Sequence, residues 1–457
     1  MRRRKADLRA RVNGQLTFRY ERAGLTSYAG LEFLRRWLQR AGLVALLRRE
    51  LATALPPSDY GVVGLVLVVL ALLLSGGRRV RHLRYLEGDP VVGRFAGLQQ
   101  LPTPRTVGRW LAAFRVRHLR PLQRVNALVA ARAIRQTGQR RLTIDVDGSV
   151  VSTGLQVRWA QRGYNPHHRK VPSYYPITAY EAQSGHVLRV QNRPGNVDDA
   201  KGARRFLRDL FAQLRATLGA GYRLEFRMDG AFFRRDVLER LEREGAHYAI
   251  KVPFHPWLGL KARVLATRAW TRVTPEVSCA EHEVPVACWQ RSCRMVIYRR
   301  HVQHETARNF QLDLFDPNDG HYEYSAVVTN TALRGPALWA FMAGRGTHEK
   351  VYGELKTGFA FGTVPSMQYA ANSAWQCLSV LAFNLSRSFQ LATTARRRGP
   401  SRKRWTLFGF ETIHTLRALC LQRAGLLVAP HGTATLDVGP APGVADRFRR
   451  LDRLLAA

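Results

Sequence analysis

The stretch Leu142-Thr143-Ile144-Asp145-Val146-Asp147-Gly148-Ser149 alternates apolar and polar residues one for one up to Asp147. A period of two belongs to a β-strand with unlike faces. Leu142, Ile144 and Val146 therefore face one way, and Thr143, Asp145 and Asp147 the other. Apolar or alternating runs follow at 187–190, 222–227 and 247–252, with helical patterns at about 198–218 and 234–244 between them. The fold expected from this stretch outward is mixed α/β.

Upstream, the chain reads as helical. Leu31, Leu34, Leu38, Leu47 and Leu51 recur at helical steps among arginines, and the run from Val62 to Leu74 is apolar throughout. That run covers 13 residues, where a membrane-spanning helix needs about 20, so it is expected to be a buried core helix. Pro102 and Pro104 then break the chain before a basic amphipathic stretch that opens at Thr106. Short basic helices around tight turns suit a helix-turn-helix module and equally suit an ordinary bundle. Downstream, residues 253–323 lose helical periodicity and gain Trp270, Trp289 and the run Met295-Val-Ile-Tyr, which suggests a β-rich insert. A strand from Tyr324, helical patterns over 336–390 and the basic linker Arg396–Arg404 complete the reading.

Composition limits the partner. The chain has 457 residues with 72 Lys plus Arg against 33 Asp plus Glu, a formal charge of +39. With 46% hydrophobic residues it can bury more than one core, so it is not a basic tail. Such a charge calls for a polyanion, either nucleic acid or anionic membrane. Of the 72 basic residues 64 are arginine, the side chain that forks phosphate and stacks on bases. No secretory signal or span is read, so the expected setting is cytoplasmic, with no membrane partner. The five cysteines are too few and too irregular for a disulfide framework, and Cys279, His282, Cys288 and Cys293 lack zinc-type spacing.

Candidate chemistry narrows to carboxylates. No Gly-Lys-Ser/Thr phosphate loop and no His-Glu-x-x-His occurs. Asp147 and Asp229, in Met228-Asp229-Gly-Ala-Phe, each end an apolar strand, where a fixed oxygen ligand suits a hard divalent cation. In the stretch from Gly344 to Lys356, a helical advance of about 100° per residue puts Glu349, Tyr352 and Lys356 within roughly 60° of Arg345, with Glu354 about 180° away. Glu349 is thus the acid chosen from that helix. A solvated face with i,i+4 pairing is the plainer alternative.

Asp147-Gly-Ser, Asp229-Gly-Ala-Phe and Arg345-x3-Glu349-x6-Lys356 resemble the three signatures of bacterial insertion-sequence DDE transposases, in the branch with a Tyr-Arg-Glu-Lys motif. Gly163-Tyr-Asn, Tyr174-Tyr-Pro, Arg193-Pro-Gly-Asn, Ala371-Asn-Ser through Leu381-Ala-Phe-Asn-Leu, and Pro102-Thr-Pro-Arg-Thr resemble that branch's other motifs. The family tyrosine, expected with two residues between it and the arginine, would fall at Met342.

The resemblance implies an RNase H-like, retroviral-integrase-type catalytic core with a β-rich insertion, preceded by an all-helical DNA-binding region. The expected partition is 1–138 helical and DNA-binding, 139–252 first part of the core, 253–323 insertion, 324–395 second part with the catalytic helix, and 396–457 a basic C-terminal region. It further implies that Asp147, Asp229 and Glu349 are catalytic and hold two Mg²⁺ ions, with Mn²⁺ able to substitute, and that Asp145 supports Asp147. Arg345, Lys356 and Tyr352 are expected on DNA phosphates, and Trp270 and Trp289 are weak candidates for base stacking. The implied activity is cut-and-paste transposition: binding of terminal inverted repeats, end cleavage and transfer of 3′-hydroxyl ends into target DNA. The partners would be double-stranded DNA and a second copy in a synaptic homodimer, at a bacterial nucleoid. The alternatives are a transposase-derived DNA-binding protein that does not cleave, and an RNase H-like nuclease without strand transfer.

Overall fold

The computed structural model describes residues 16–18, 22–154, 156–163, 170–301, 321–398, 406–429, 432–439 and 441–456. The N-terminal part forms helices Leu31–Arg40, Leu43–Leu51, Val62–Leu74, Pro90–Ala96, Pro104–Ala112 and Leu119–Thr137. It is not purely helical, because Leu25–Thr26 forms a short strand, β1. The Val62–Leu74 helix is apolar all round and has eleven of its thirteen residues buried, so it sits inside the helical layer. Among the described residues no helix is long and apolar enough to cross a membrane. The Pro-Thr-Pro motif opens the Pro104–Ala112 helix: the Thr103 hydroxyl accepts from the Thr106 N–H at 3.2 Å, and Pro104 takes a first-turn position where no N–H is needed.

The alternating stretch forms β2 (Arg141–Gly148). The short strands β3 (Val151–Ser152) and β4 (Ser173–Tyr174) pair with each other. Then come β5 (Ile177–Glu181), β6 (His186–Gln191), β7 (Arg223–Met228), β8 (His247–Val252), β9 (Thr271–Arg272), β10 (Val277–Val286), β11 (Arg291–His301) and β12 (Tyr322–Thr329). One nine-stranded sheet joins them in the order β6-β5-β2-β7-β8-β12-β11-β10-β9. β2 pairs antiparallel with β5 and parallel with β7, and β7 is parallel to β8. The apolar face of β2 packs with Phe206, Leu207 and Leu210 of the helix Ala203–Leu218 and with Ile134 of Leu119–Thr137.

One strand was missed in the sequence and one expectation is modified here. All five residues of β5 are buried, and a strand covered on both faces shows no alternation by which to find it. The stretch expected as an insert adds β9, β10 and β11 to the same sheet through β12 and also contains the helix Leu260–Ala266. Residues 302–320 of that stretch lie outside the described residues.

Beyond β12 come helices Gly335–Ala343, Gly346–Gly358 and Tyr369–Thr393. The last is buried along most of its length between the N-terminal helices and β6. Its Asn384 hooks the sheet edge: the side chain accepts from the Val187 N–H at 3.0 Å and donates to the Val187 carbonyl at 2.9 Å. The C-terminal residues fold back. After the pair β13 (Arg396–Arg397) and β14 (Phe408–Gly409) and the helix Ile413–Leu416, β15 (Gly425–Val428) pairs with both β1 and β16 (Thr435–Val438). The helix Pro442–Ala456 then packs on Leu31–Arg40, with Phe448 edge-on to Phe33 at 4.8 Å and Asp452 paired to Arg36 at 2.7 Å. Of the expected basic linker, residues 399–404 lie outside the described residues, as do Tyr164 and Asn165 of the Gly-Tyr-Asn motif.

Candidate active site

Asp147 is the next-to-last residue of β2, and Asp229 directly follows β7. Because these strands are parallel neighbours with Val146 opposite Met228, one further step brings the two aspartates side by side at the carboxyl edge of the sheet. Neighbouring strands are about 4.8 Å apart, so two carboxylates there repel unless a cation intervenes. Arg345 supplies one: a guanidinium nitrogen lies 3.0 Å from Asp147 Oδ2 and another 3.5 Å from Asp229 Oδ1. The arginine stands just before the Gly346–Gly358 helix, at the short break after Gly335–Ala343. Among the described residues its Nε has no hydrogen-bond partner.

Charge crowding marks this edge. The Asp147 carboxyl is pushed up to about 7, first by burial and then by the negative charges of Asp199 and Asp229, with Arg345 and the Gly148 N–H opposing. Asp199 is an acid that sequence reading missed. It accepts from the Tyr175 hydroxyl at 3.0 Å, sits 3.6 Å from Arg193, and has one carboxylate oxygen without a hydrogen-bond partner among the described residues. Arg193 in turn donates to the carbonyls of Asp199 and Lys201, both at 2.9 Å, and so fixes the turn that carries Asp199. The signal was present in Tyr174-Tyr-Pro and Arg193-Pro-Gly-Asn. A neighbour in space leaves no spacing by which to find Asp199 itself.

Asp145 has a different job. It and Arg227, directly opposite on β7, are both fully buried and form a two-pronged pair at 2.6 and 2.8 Å, while Arg227 also donates to the Phe341 carbonyl at 2.8 Å. This ties β2 and β7 to the helix Gly335–Ala343 just ahead of Arg345.

The helical stripe is divided by depth. Tyr352 is only 6% exposed; its hydroxyl donates to the Asp147 carbonyl at 2.8 Å and accepts from Thr178 at 2.7 Å. The phosphate contact expected of Tyr352 is therefore corrected: this side chain holds the backbone of Asp147. His348, also missed, stacks between Tyr180 and Tyr352 and lies 2.9 Å from the Thr178 hydroxyl. Burial, reinforced by Arg345 and Arg227, pushes its pKa down to about 3. Glu349 is exposed and adds its charge to the field on Arg345. Glu354 faces away, paired with Arg387 and accepting from the Ile413 N–H at 2.8 Å.

Lys356, its pKa lowered by burial, lines a cleft of about 990 Å³. Arg78, Arg79, Arg81 and His82 form one wall, and residues 150–154 and 362–365 form the others. The three arginines are exposed. Their field, after burial, pushes the His82 pKa down. This cleft starts just beyond Asp147 in the chain.

The two tryptophans separate. Trp289 packs on Phe233, four residues past Asp229, at 4.7 Å and on half-exposed Trp257 at 6.4 Å. Trp270 borders β9, the outermost strand, with Arg299 over its ring at 4.4 Å. β9 is five strands from β7, roughly 24 Å at sheet spacing, so Trp270 is not brought to the aspartates.

Among the described residues no three His, Cys, Asp or Glu side chains converge as a metal-binding group. The donors nearest the edge are carboxylate oxygens, which fit Mg²⁺ or Mn²⁺ in preference to zinc. The crowding of Asp147, Asp199 and Asp229 fits an added positive charge there.

A family model described as "Transposase DDE domain group 1" matches residues 9–413. Among solved structures, a piggyBac transposase synaptic complex with hairpin DNA aligns at 12% identity over 84% of this chain and 80% of that one, with a TM-score of 0.42. A Mos1 mariner paired end complex with Mn aligns at 12% identity over 47% and 65%, with a TM-score of 0.18. No curated protein matches.

Proposed function

The chain belongs to the family of transposases with a DDE domain of group 1, and from that premise we propose that it moves its element by cut-and-paste transposition, binding the terminal inverted repeats as a synaptic homodimer. The observation that carries the reading is the pair of aspartates at the ends of adjacent parallel strands, bridged by the arginine that opens the next helix. The strand order β6-β5-β2-β7-β8, with further strands added before the helix of Glu349, supports an RNase H-like core with an inserted segment.

Asp147, Asp229 and Glu349 would hold two Mg²⁺ ions, which when bound activate the attacking oxygen and stabilise the leaving one. Water forms a new bond to phosphorus at the element's end while the bond to the 3′-oxygen breaks; that oxygen leaves and takes up a proton. The resulting 3′-hydroxyl then loses its proton, attacks a target phosphate and displaces a target 3′-oxygen. Two phosphate exchanges balance without a nucleotide cofactor. Asp145 with Arg227, and Tyr352 with Thr178, fix the position of β2 and hence of the Asp147 carboxylate. Arg345, between the two aspartates, would grip phosphate beside the cut, and Lys356 with the arginine wall would guide the flanking strand. Trp289, backed by Phe233 and beside Trp257, would be the stacking residue near Asp229.

Asp147→Ala, Asp229→Ala and Glu349→Ala are each expected to abolish Mg²⁺-dependent end cleavage, measured on labelled repeat DNA, while binding to the ends stays near normal. Normal cleavage by Glu349→Ala would sink the assignment of the third acid.

A further inference from the structure

Trp159 lies outside the machinery described above and combines backbone strain with exposure. Its φ is +68°, a left-handed conformation that bulky residues rarely adopt, and it is 55% exposed. The surroundings hold it there. Its ring lies 4.9 Å from Tyr369 at a tilt of 32°, and the Tyr369 hydroxyl donates to the Asn192 carbonyl at 2.9 Å. On the preceding residue, the Arg158 N–H donates to the Met367 carbonyl at 3.1 Å, and the Arg158 carbonyl accepts from Tyr174 at 2.6 Å. Strain of this kind persists only where neighbours over-determine it, and it gathers at ligand sites.

Two observations indicate the ligand. Arg158 and Arg162, which flank Trp159 in the chain, are both exposed. The chain also leads to it from two walls of the arginine cleft: Gly154 is five residues before Trp159, and Pro365 four before Tyr369. At no more than about 3.6 Å per residue, the aromatic pair lies within about 18 Å of the cleft rim. A cleft lined by cations, whose lining resumes three residues after Asp147 in the chain, therefore lies within reach of an exposed indole.

We propose that Trp159, backed by Tyr369, is a stacking platform for an unpaired DNA base whose strand has its phosphates in the cleft. The proposal rests on the transposase reading for its ligand class. Stacking on an aromatic face tolerates any base, whereas the cations meet the backbone. A base inside a duplex has both faces covered, so the platform favours a strand that is single or frayed beside the cut.

The test uses the full-length protein and duplex DNA with a short single-stranded overhang carrying 2-aminopurine, whose fluorescence falls on stacking, compared with the same label fully paired. Wild type is expected to quench the overhang label and to bind overhang DNA more tightly than blunt DNA. Trp159→Ala should lose the quenching and weaken overhang binding about tenfold, with blunt-duplex affinity unchanged, and Trp159→Phe should keep most of both. Trp159→Gly separates platform from core, because glycine adopts positive φ freely: its melting temperature should equal or exceed wild type while the overhang preference disappears. An intact overhang preference in Trp159→Ala, or a marked fall in melting temperature in Trp159→Gly, overturns the proposal. Cleavage of ends without any overhang preference overturns the platform alone. Overhang preference without cleavage leaves the platform standing and overturns the transposase reading, and absence of DNA binding overturns both.

Discussion

Gly148 shows how closely the acids are set. A Cβ there would lie 1.9 Å from Asp199 Oδ1 and 2.6 Å from the Tyr175 ring, so the glycine of Asp147-Gly-Ser is required by the approach of a second acid, and the helix-forming or strand-forming tendency of the position is secondary. Gly148→Ala is expected to displace Asp199 or Tyr175, lower stability by about 1–3 kcal/mol and remove most end cleavage, as read by thermal unfolding and a cleavage assay. Wild-type behaviour on both would mean that this contact is relaxed in solution. At this scale the sequence was informative where chemistry follows chain spacing. Asp147, Asp229 and the Arg345–Glu349–Lys356 stripe could be picked out because each follows from a strand end or a helical angle. Asp199, His348 and Thr178 could not, since their partners are distant in the chain and only folding makes them neighbours. Tyr352 shows the opposite error: helical angle put it on the right stripe, but depth turned its hydroxyl to the Asp147 carbonyl.

Among elements, β6 and the Tyr369–Thr393 helix meet over a buried polar seam. His186 lies within hydrogen-bond distance of the Ser184 carbonyl and the Ser388 hydroxyl, both at 2.9 Å. Burial, the largest influence, pushes its pKa down to about 4. The folded protein therefore keeps this ring neutral while the unfolded chain takes up a proton below about 6.5. Stability from this group is present above that pH and is lost as pH falls toward 4, at up to about 1.4 kcal/mol per pH unit. Urea unfolding across that window should show the slope, and His186→Asn should flatten it; an unchanged slope would assign the acid sensitivity elsewhere. Elements with a period or an unbroken apolar run were legible: β2 and the helix from Gly346 fall where the period put them, and the Val62–Leu74 helix where the run did. β5 was not, because burial on both faces erases alternation, and β1 is too short to carry any pattern.

For the whole molecule, the charge of +39 divides between structure and surface. Arg227, Arg193 and Arg417 are buried and spend their donors on Asp145 and on backbone carbonyls. The arginines of the cleft wall are exposed and set apart from that network. DNA binding should accordingly weaken steeply with salt, by about 10³–10⁵ between 50 and 200 mM if six to ten phosphates are engaged. Replacing Arg78 and Arg81 together by alanine should lower the salt slope by about two. Fluorescence anisotropy over a salt series checks this, and an unaltered slope would exclude the cleft as the backbone track. The sequence by itself determined the mixed α/β class and the need for a polyanion, and put Asp147 and Asp229 at strand ends and Glu349 on the stripe of Arg345, because composition, periodicity and helical angle are properties of neighbours along the chain. Only the tertiary structure decided that Asp145 is consumed by Arg227, that Arg345 stands between Asp147 and Asp229, that Asp199 joins them, and that the C-terminal residues close on the N-terminal helices. The first three depend on which charges find partners and the last on which apolar faces meet, and both are settled by distance in space across spans of chain that no local pattern records.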